Sequence, residues 1–202
     1  MPVHQLFPEP VYFSKLKRPL TKKELKTVNE YKKKIRKNVG NNQTNNKYVL
    51  EHETLKDLKE ELTKMVMDYF GKIVCTDNSI TPYITQSWLN FTETDEYHHH
   101  HSHPNSYVSG VLYIDAIKNV DKIKFYKWKH EAYELEIAQY NIFNSASWWY
   151  HVEKGDVVLF PSFLMHGVDN KKGTGTRISL AFNVFFRGKI GNAEKSTGLT
   201  IK

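Results

Sequence analysis

Five of the ten histidines in this 202-residue sequence, His98 to His101 and His103, fall in one short run, followed by Pro104-Asn105-Ser106 and the apolar segment YVSGVLYI. On an extended strand side chains alternate between faces, so His99, His101 and His103 should project one way and His98 and His100 the other. An H-x-H pair on one face offers two imidazoles to one ion, and imidazole suits iron, zinc, copper and nickel. His101 and His103, just before an apolar strand, read as ligands, with His99 and His101 as the alternative register. His98 and His100 read as solvent-facing. His166 follows a Gly155-Asp156 turn, the apolar run VVLF and a Pro161-Ser162 corner. Alone it would read as a hydrogen-bonded core residue; the blocks on either side make it a third candidate ligand.

Arg177 opens the strand-like segment RISLAFN and shares a face with Ser179, Ala181 and Asn183 by the period of two. No acidic residue stands on that face. A guanidinium turned into a protein interior without a counter-charge would cost several kcal/mol. A bound carboxylate would answer it, because arginine grips carboxylates through two parallel hydrogen bonds and Ser179 can add a hydroxyl. The competing reading is a structural ion pair to Asp115, Asp156 or Glu153.

For residues 101, 166 and 177 to meet, the chain needs a scaffold that folds distant segments together. Segments 84–92, 107–114, 122–128, 147–152, 156–160 and 177–187 are rich in β-branched and aromatic residues and are separated by turn signals, which predicts strands. Upstream, Thr21 and Glu24 form a capping-box pattern that predicts a helix to about Asn38, burying Leu25, Val28, Tyr31 and Ile35. KNVGNNQTNNK reads as a loop. Leu55, Leu58, Leu62, Met65, Val66, Tyr69 and Phe70 predict a second helix starting near Glu53 or Thr54 and stopped by Gly71. Residues 1–20, with Pro2, Pro8, Pro10 and Pro19, are expected to be extended. Helices followed by strands indicate an α+β fold: helical support over 21–70, an antiparallel barrel or sandwich over about 80–187, all in one domain spanning 1–202.

Composition narrows the classes of function. The chain is 40% hydrophobic and 13% aromatic, too apolar for a disordered segment, and no stretch nears the length of a membrane span. No basic-then-apolar leader opens it, and the single Cys75 cannot form an internal disulfide, so a cytoplasmic location is the expectation. Lys+Arg exceed Asp+Glu by 29 to 22, mostly in the first third, but those lysines alternate with Leu25, Val28 and Ile35 and lack an aromatic stacking platform. A solvated helix is the expected reading, and nucleic acid is not the expected partner. No P-loop, zinc-finger spacing or H-E-x-x-H is present.

The blocks H-x-H-P-N-S-x-x-S-G-V-x-Y, G-D-x-x-x-F-P-S-x-x-x-H and R-I-S-x-x-F-N, with the opening LFPEPVY, resemble the 2-oxoglutarate/Fe(II) oxygenases found in marine bacteria and their phages, over residues 83–187. The resemblance implies a double-stranded β-helix, or jelly-roll, barrel. It implies Fe(II) held by His101 and His166, and the distal carboxylate of 2-oxoglutarate held by Arg177 and Ser179, with Asn90 and Tyr113 as further cosubstrate contacts. No catalytic residue beyond the metal ligands is implied. The activity would be hydroxylation of a substrate coupled to conversion of 2-oxoglutarate to succinate and CO2. One departure stands out: the usual triad reads H-x-D/E, and here His103 occupies the acidic position. His103 is then the third ligand, or the site keeps two protein ligands and an extra open position. A cupin-type metal enzyme fits Gly155, Pro161, His166 and Asn170, although it has no need of Arg177 and Ser179. A non-catalytic jelly-roll module is the third reading. The prime substrate could be a protein side chain, a nucleotide or a small metabolite, and Trp88, Trp128, Trp148, Trp149 and Tyr150 read mainly as barrel packing.

Overall fold

Two long antiparallel strands, β4 (Ile80–Thr92) and β11 (Arg177–Ile190), run side by side through the molecule and set two faces of opposite character. Leu89 and Phe91 of β4 and Leu180 and Phe182 of β11 point to one side and are almost completely buried. Trp88, Asn90 and Thr92, with Arg177, Ser179 and Ala181, point to the other and line a polar pocket. This is the alternation expected of strands buried on both faces, with chemistry assigned to one of them.

The computed structural model describes residues 2–77, 79–127 and 135–202. Its larger sheet has the order β1 (Tyr12–Lys15), β9 (Asp156–Pro161), β6 (Val108–Asp115), β11, β4, β3 (Asn42–Thr44), β2 (Ile35–Lys37), with β12 (Leu199–Ile201) also on β11. The smaller sheet has the order β5 (His98–His101), β10 (His166–Val168), β7 (Lys122–Tyr126), β8 (Ser147–His151). Two facing antiparallel sheets of this kind make a jelly-roll. Helices α1 (Lys22–Lys32) and α2 (Lys56–Tyr69) cover the outer face of the larger sheet. There Leu55, Leu58, Leu62 and Val66 pack on Leu89, Leu112, Leu180 and Phe182 in one apolar cluster. Each such fully buried side chain contributes about 1.5–3 kcal/mol of transfer free energy. Gly110 belongs to this arrangement, since a Cβ there would lie 2.1 Å from the Phe182 ring. A smaller cluster of Tyr113, Ile123, Phe125, Val158 and Phe160 fills the space between the sheets.

The capping box is present: Glu24 N–H donates to Thr21 Oγ1 and Thr21 N–H to Glu24, whose carboxylate also takes two hydrogen bonds from Arg18. Three sequence expectations change. The first helix stops at Lys32, and Ile35 enters β2, which pairs with β3 to make a hairpin from the segment read as a loop. Pairing of β3 with β4 at the sheet edge outweighs the helical periodicity there. Gly71 does not end the second helix. A wider helical turn (Phe70–Val74) continues past it and closes at Cys75, whose φ is 52°. The predicted strand 122–128 ends at Tyr126, and Trp128 lies outside the described residues.

Candidate metal and cosubstrate site

The smaller sheet brings the histidines together. β5 and β10 pair with His101 opposite His166 and His98 opposite Val168, so three residues of β5 span two of β10. That bulge breaks regular alternation and turns His98 to the same side as His101. β10 can approach so closely because residue 167 is glycine; a Cβ there would lie 3.0 Å from the His98 carbonyl and from the His100 ring. His98 therefore lines the pocket and stacks on His101 at 4.5 Å, against the expectation that it faces solvent. His100 is exposed as expected and packs on Tyr126. His99, expected to share the face of His101, does lie beside it, with ring centres 4.8 Å apart. Together with His98, the two bring ring nitrogens within 4.8 Å of one another. His99 is nevertheless absent from the pocket wall, and its Nδ1 is buried without a partner among the described residues.

His101, His103 and His166 each offer a ring nitrogen within 4.8 Å of the others. The backs of these rings decide which nitrogen is free. His101 Nδ1 is 2.8 Å from the His99 carbonyl and His166 Nδ1 is 2.9 Å from the Leu164 carbonyl. A carbonyl only accepts, so both rings carry their proton on Nδ1. His103 Nδ1 lies 2.7 Å from Asn183 Oδ1 and 2.8 Å from Ser109 Oγ. Ser106 donates to the Val108 carbonyl and Ser162 donates to Ser106, so the Ser109 proton goes to Ser162. Only lone pairs are then left for His103, which must donate from Nδ1 as well. Three Nε2 lone pairs remain, with no proton among them.

Burial reinforces this state. It holds His166 well below the ordinary histidine range and His103 down at about 4, with the neighbouring histidines adding to both shifts. His101 is lowered for the same reason, opposed in part by its bond to the His99 carbonyl. Phe160 packs edge-on against His166 at 4.6 Å, with Phe125 beyond it, so one side of the cluster is dry.

Beside the histidines lies a narrow cavity of about 30 Å³ lined by Asn90, Tyr113, His98, Arg177 and Ser179, among others. Register explains the grouping, because Ser179 lies opposite Asn90 on one side and Tyr113 on the other. Asn90 Oδ1 is buried without a partner, and among the described residues neither Tyr113 nor Ser179 has a side-chain hydrogen bond. Buried polar groups are normally satisfied, so this set fits a polar ligand. Arg177 differs from expectation. It is paired through Nη1 at 3.1 Å with Asp121, and both side chains are buried. None of Asp115, Asp156 or Glu153 is its partner; the last two pair with Lys15. Asp121 sits just before β7 and is tied down by the Ile117 backbone N–H. Among the described residues the remaining guanidinium N–H groups have no side-chain acceptor and could serve a second one.

Of the candidate aromatics Trp88, Trp148, Trp149 and Tyr150, Trp88 lines this pocket; Trp148 and Tyr150 border a separate cavity of about 430 Å³, and Trp149 is exposed beneath Lys122. His98, Asp121, Ser109, Ser162 and Asn183 were not singled out for the site by the sequence. Asn183 carried a signal by lying on the Arg177 face by period, and Ser109, Ser162 and Asn183 all stand at fixed positions of the blocks that carry the resemblance; His98 and Asp121 had none.

With this geometry in hand, comparison with known proteins is informative. Residues 86–183 match the family described as "Putative 2OG-Fe(II) oxygenase". Through this segment, just under half of the chain, the protein is similar to the 2OG-Fe(II) oxygenase family. The matched segment runs from β4 to Asn183 and contains every pocket residue named above. Solved structures of similar fold include HygX from Streptomyces hygroscopicus with nickel, 2-oxoglutarate and hygromycin B bound, at 14% identity and TM-score 0.56 over 87% of this chain and 82% of that one. The epimerase SnoN from nogalamycin biosynthesis aligns at 9% identity and TM-score 0.59 over 89% and 81%. A 2OG-Fe(II) oxygenase family oxidoreductase from Burkholderia pseudomallei aligns at 13% identity and TM-score 0.55 over 80% and 76%. At these identities the likeness shows the jelly-roll fold alone. A search of curated protein sequences finds no match.

Proposed function

We propose that this chain is a single-domain Fe(II)- and 2-oxoglutarate-dependent oxygenase whose metal ligands are His101, His103 and His166. The carrying observation is the tautomer pattern: three clustered imidazoles, His166 buried and His101 and His103 partly so, with Nδ1 engaged behind and Nε2 left to a metal. Arg177, Ser179, Asn90 and Tyr113 would hold the cosubstrate, because they combine a cation with neutral hydrogen-bonding groups, Asn90 Oδ1 among them, that lack side-chain partners among the described residues. Bound there, Fe(II) and 2-oxoglutarate supply the oxidising power: O2 is split between a hydroxylated substrate and succinate, with loss of CO2.

The chain's own residues contribute position and dryness. Asp121 fixes the Arg177 plane and leaves its other N–H groups for the distal carboxylate. Asn183 and the three serines hold His103 in its ligand tautomer, a supporting role of the kind that tunes metal affinity. Phe160 and Phe125 exclude water behind His166. Among the described residues no helix is long and apolar enough to cross a membrane. The lone, exposed Cys75 suits a reducing compartment such as the cytoplasm.

Anaerobic addition of Fe(II) and 2-oxoglutarate should give a visible metal-to-ligand charge-transfer band. A folded, metal-loaded sample with no such band would sink the assignment. The Arg177–Asp121 pair favours one competing reading, a cupin-type metal enzyme that uses no acid cosubstrate. It predicts metal binding with no band, so the same titration separates the two.

A further inference from the structure

The inner face of the larger sheet continues past the pocket. Directly opposed residues on neighbouring strands share a face, and the register runs Tyr113, Ser179, Asn90, Gln43, Arg36 across β6, β11, β4, β3 and β2. The first three lie in the pocket; Gln43 is half-buried and Arg36 exposed beyond it. Lys47 joins this end of the row. Its Nζ donates to Gln43 Oε1 and lies 5.5 Å from the centre of the Trp88 ring. The same indole also neighbours the metal site, with the His103 ring 5.5 Å away. One tryptophan thus neighbours both an ammonium and a candidate ligand imidazole.

Among the described residues, neither Lys47 nor Arg36 has a carboxylate partner, whereas Arg18, Lys124 and Arg177 each do. Burial pulls the Lys47 ammonium down to about 8, and the nearby Arg36 charge adds to the shift. Two neighbouring cations, one of them half-buried against a neutral amide, disfavour each other unless an anion joins them.

We propose that Lys47 and Arg36 bind an oxyanion group, carboxylate or phosphate, of the prime substrate, while Trp88 directs the attached carbon skeleton toward the metal site. Calling the ligand a substrate rests on the oxygenase reading; the anion site itself does not. It is separate from the candidate cosubstrate clamp, which lies at Ser179 further along the row and at Arg177 two residues before it on the same strand.

The test is calorimetric titration of inorganic phosphate, and separately of acetate, into anaerobic protein loaded with Fe(II) and 2-oxoglutarate, with chloride at matched ionic strength as control. Saturable binding of at least one anion is expected in the wild type. Lys47→Met should weaken it about ten-fold or more, the loss of one charge-assisted hydrogen bond. Lys47→Arg should retain it, and Lys47→Met with Arg36→Met should abolish it, while the charge-transfer band stays unchanged in all three. Preference for phosphate points to a phosphorylated metabolite or nucleotide, and preference for acetate to a carboxylate substrate. No saturable binding, or equal binding in wild type and variants, overturns the proposal. So does loss of the band in Lys47→Met, which would make Lys47 a cosubstrate residue. A wild type that shows no band defeats the oxygenase reading instead, and the same titration on metal-free protein still decides the anion site.

Discussion

His166→Ala is expected to stay folded and to lose Fe(II) affinity by more than about 100-fold. A supporting partner behind a metal ligand is itself worth about 10–100-fold, so removing the ligand exceeds that range. His103→Ala should fall as far as His166→Ala, because both present an Nε2 fixed by a bonded Nδ1. Asn183→Leu should lose about 10–100-fold, since it removes the acceptor behind His103 while leaving the imidazole in place. Competition with a coloured chelator measures all three. A His103→Ala variant that binds iron nearly as well as the parent would show that two histidines hold the ion and that His103 only lines the pocket.

Arg177→Met is expected to erase the 2-oxoglutarate-dependent band and leave iron bound. The same change also destabilises the fold, because it strands the Asp121 carboxylate in the interior. Removing one member of a buried ion pair typically costs about 3–5 kcal/mol. The two effects separate in the double variant Arg177→Met with Asp121→Leu. Urea denaturation should show most of the lost stability restored, since no charge is left unpaired, while cosubstrate binding stays absent. If this stable double variant still gives the band at ordinary 2-oxoglutarate concentrations, Arg177 is not the carboxylate clamp.

Much of this was legible in the sequence because its physical basis is periodic or local. Alternation along 84–92 and 177–187 located the two central strands, and Arg177 and Ser179 fell on the pocket face by parity, whereas Asn90 was reached only through the family resemblance. The Thr21–Glu24 capping box depends on four consecutive residues and formed as read. What escaped depends on pairing between distant segments. Asp121 reaches Arg177 across 56 positions from a loop with no motif around it. The β2–β3 hairpin exists because β4 offers an edge to pair with, which the Asn-rich segment 38–47 does not announce. His98 was misplaced because parity assumes an unbroken strand, and the bulge opposite Gly167 breaks it.

That bulge has a consequence for how the chain can vary in length. Four identical side chains in succession carry no register information, so the histidine run cannot mark its own alignment. Alignment is set instead from outside, by the fit of the bulge against Gly167 and by the anchoring of His103 on Asn183 and Ser109. An extra histidine inserted ahead of His98 would be absorbed by the turn before β5, and the same imidazoles would still meet His166. One inserted between His101 and His103 would pull His103 off its acceptors and open the site. Expansion and contraction of the repeat are therefore tolerated on one flank and lethal to metal binding on the other.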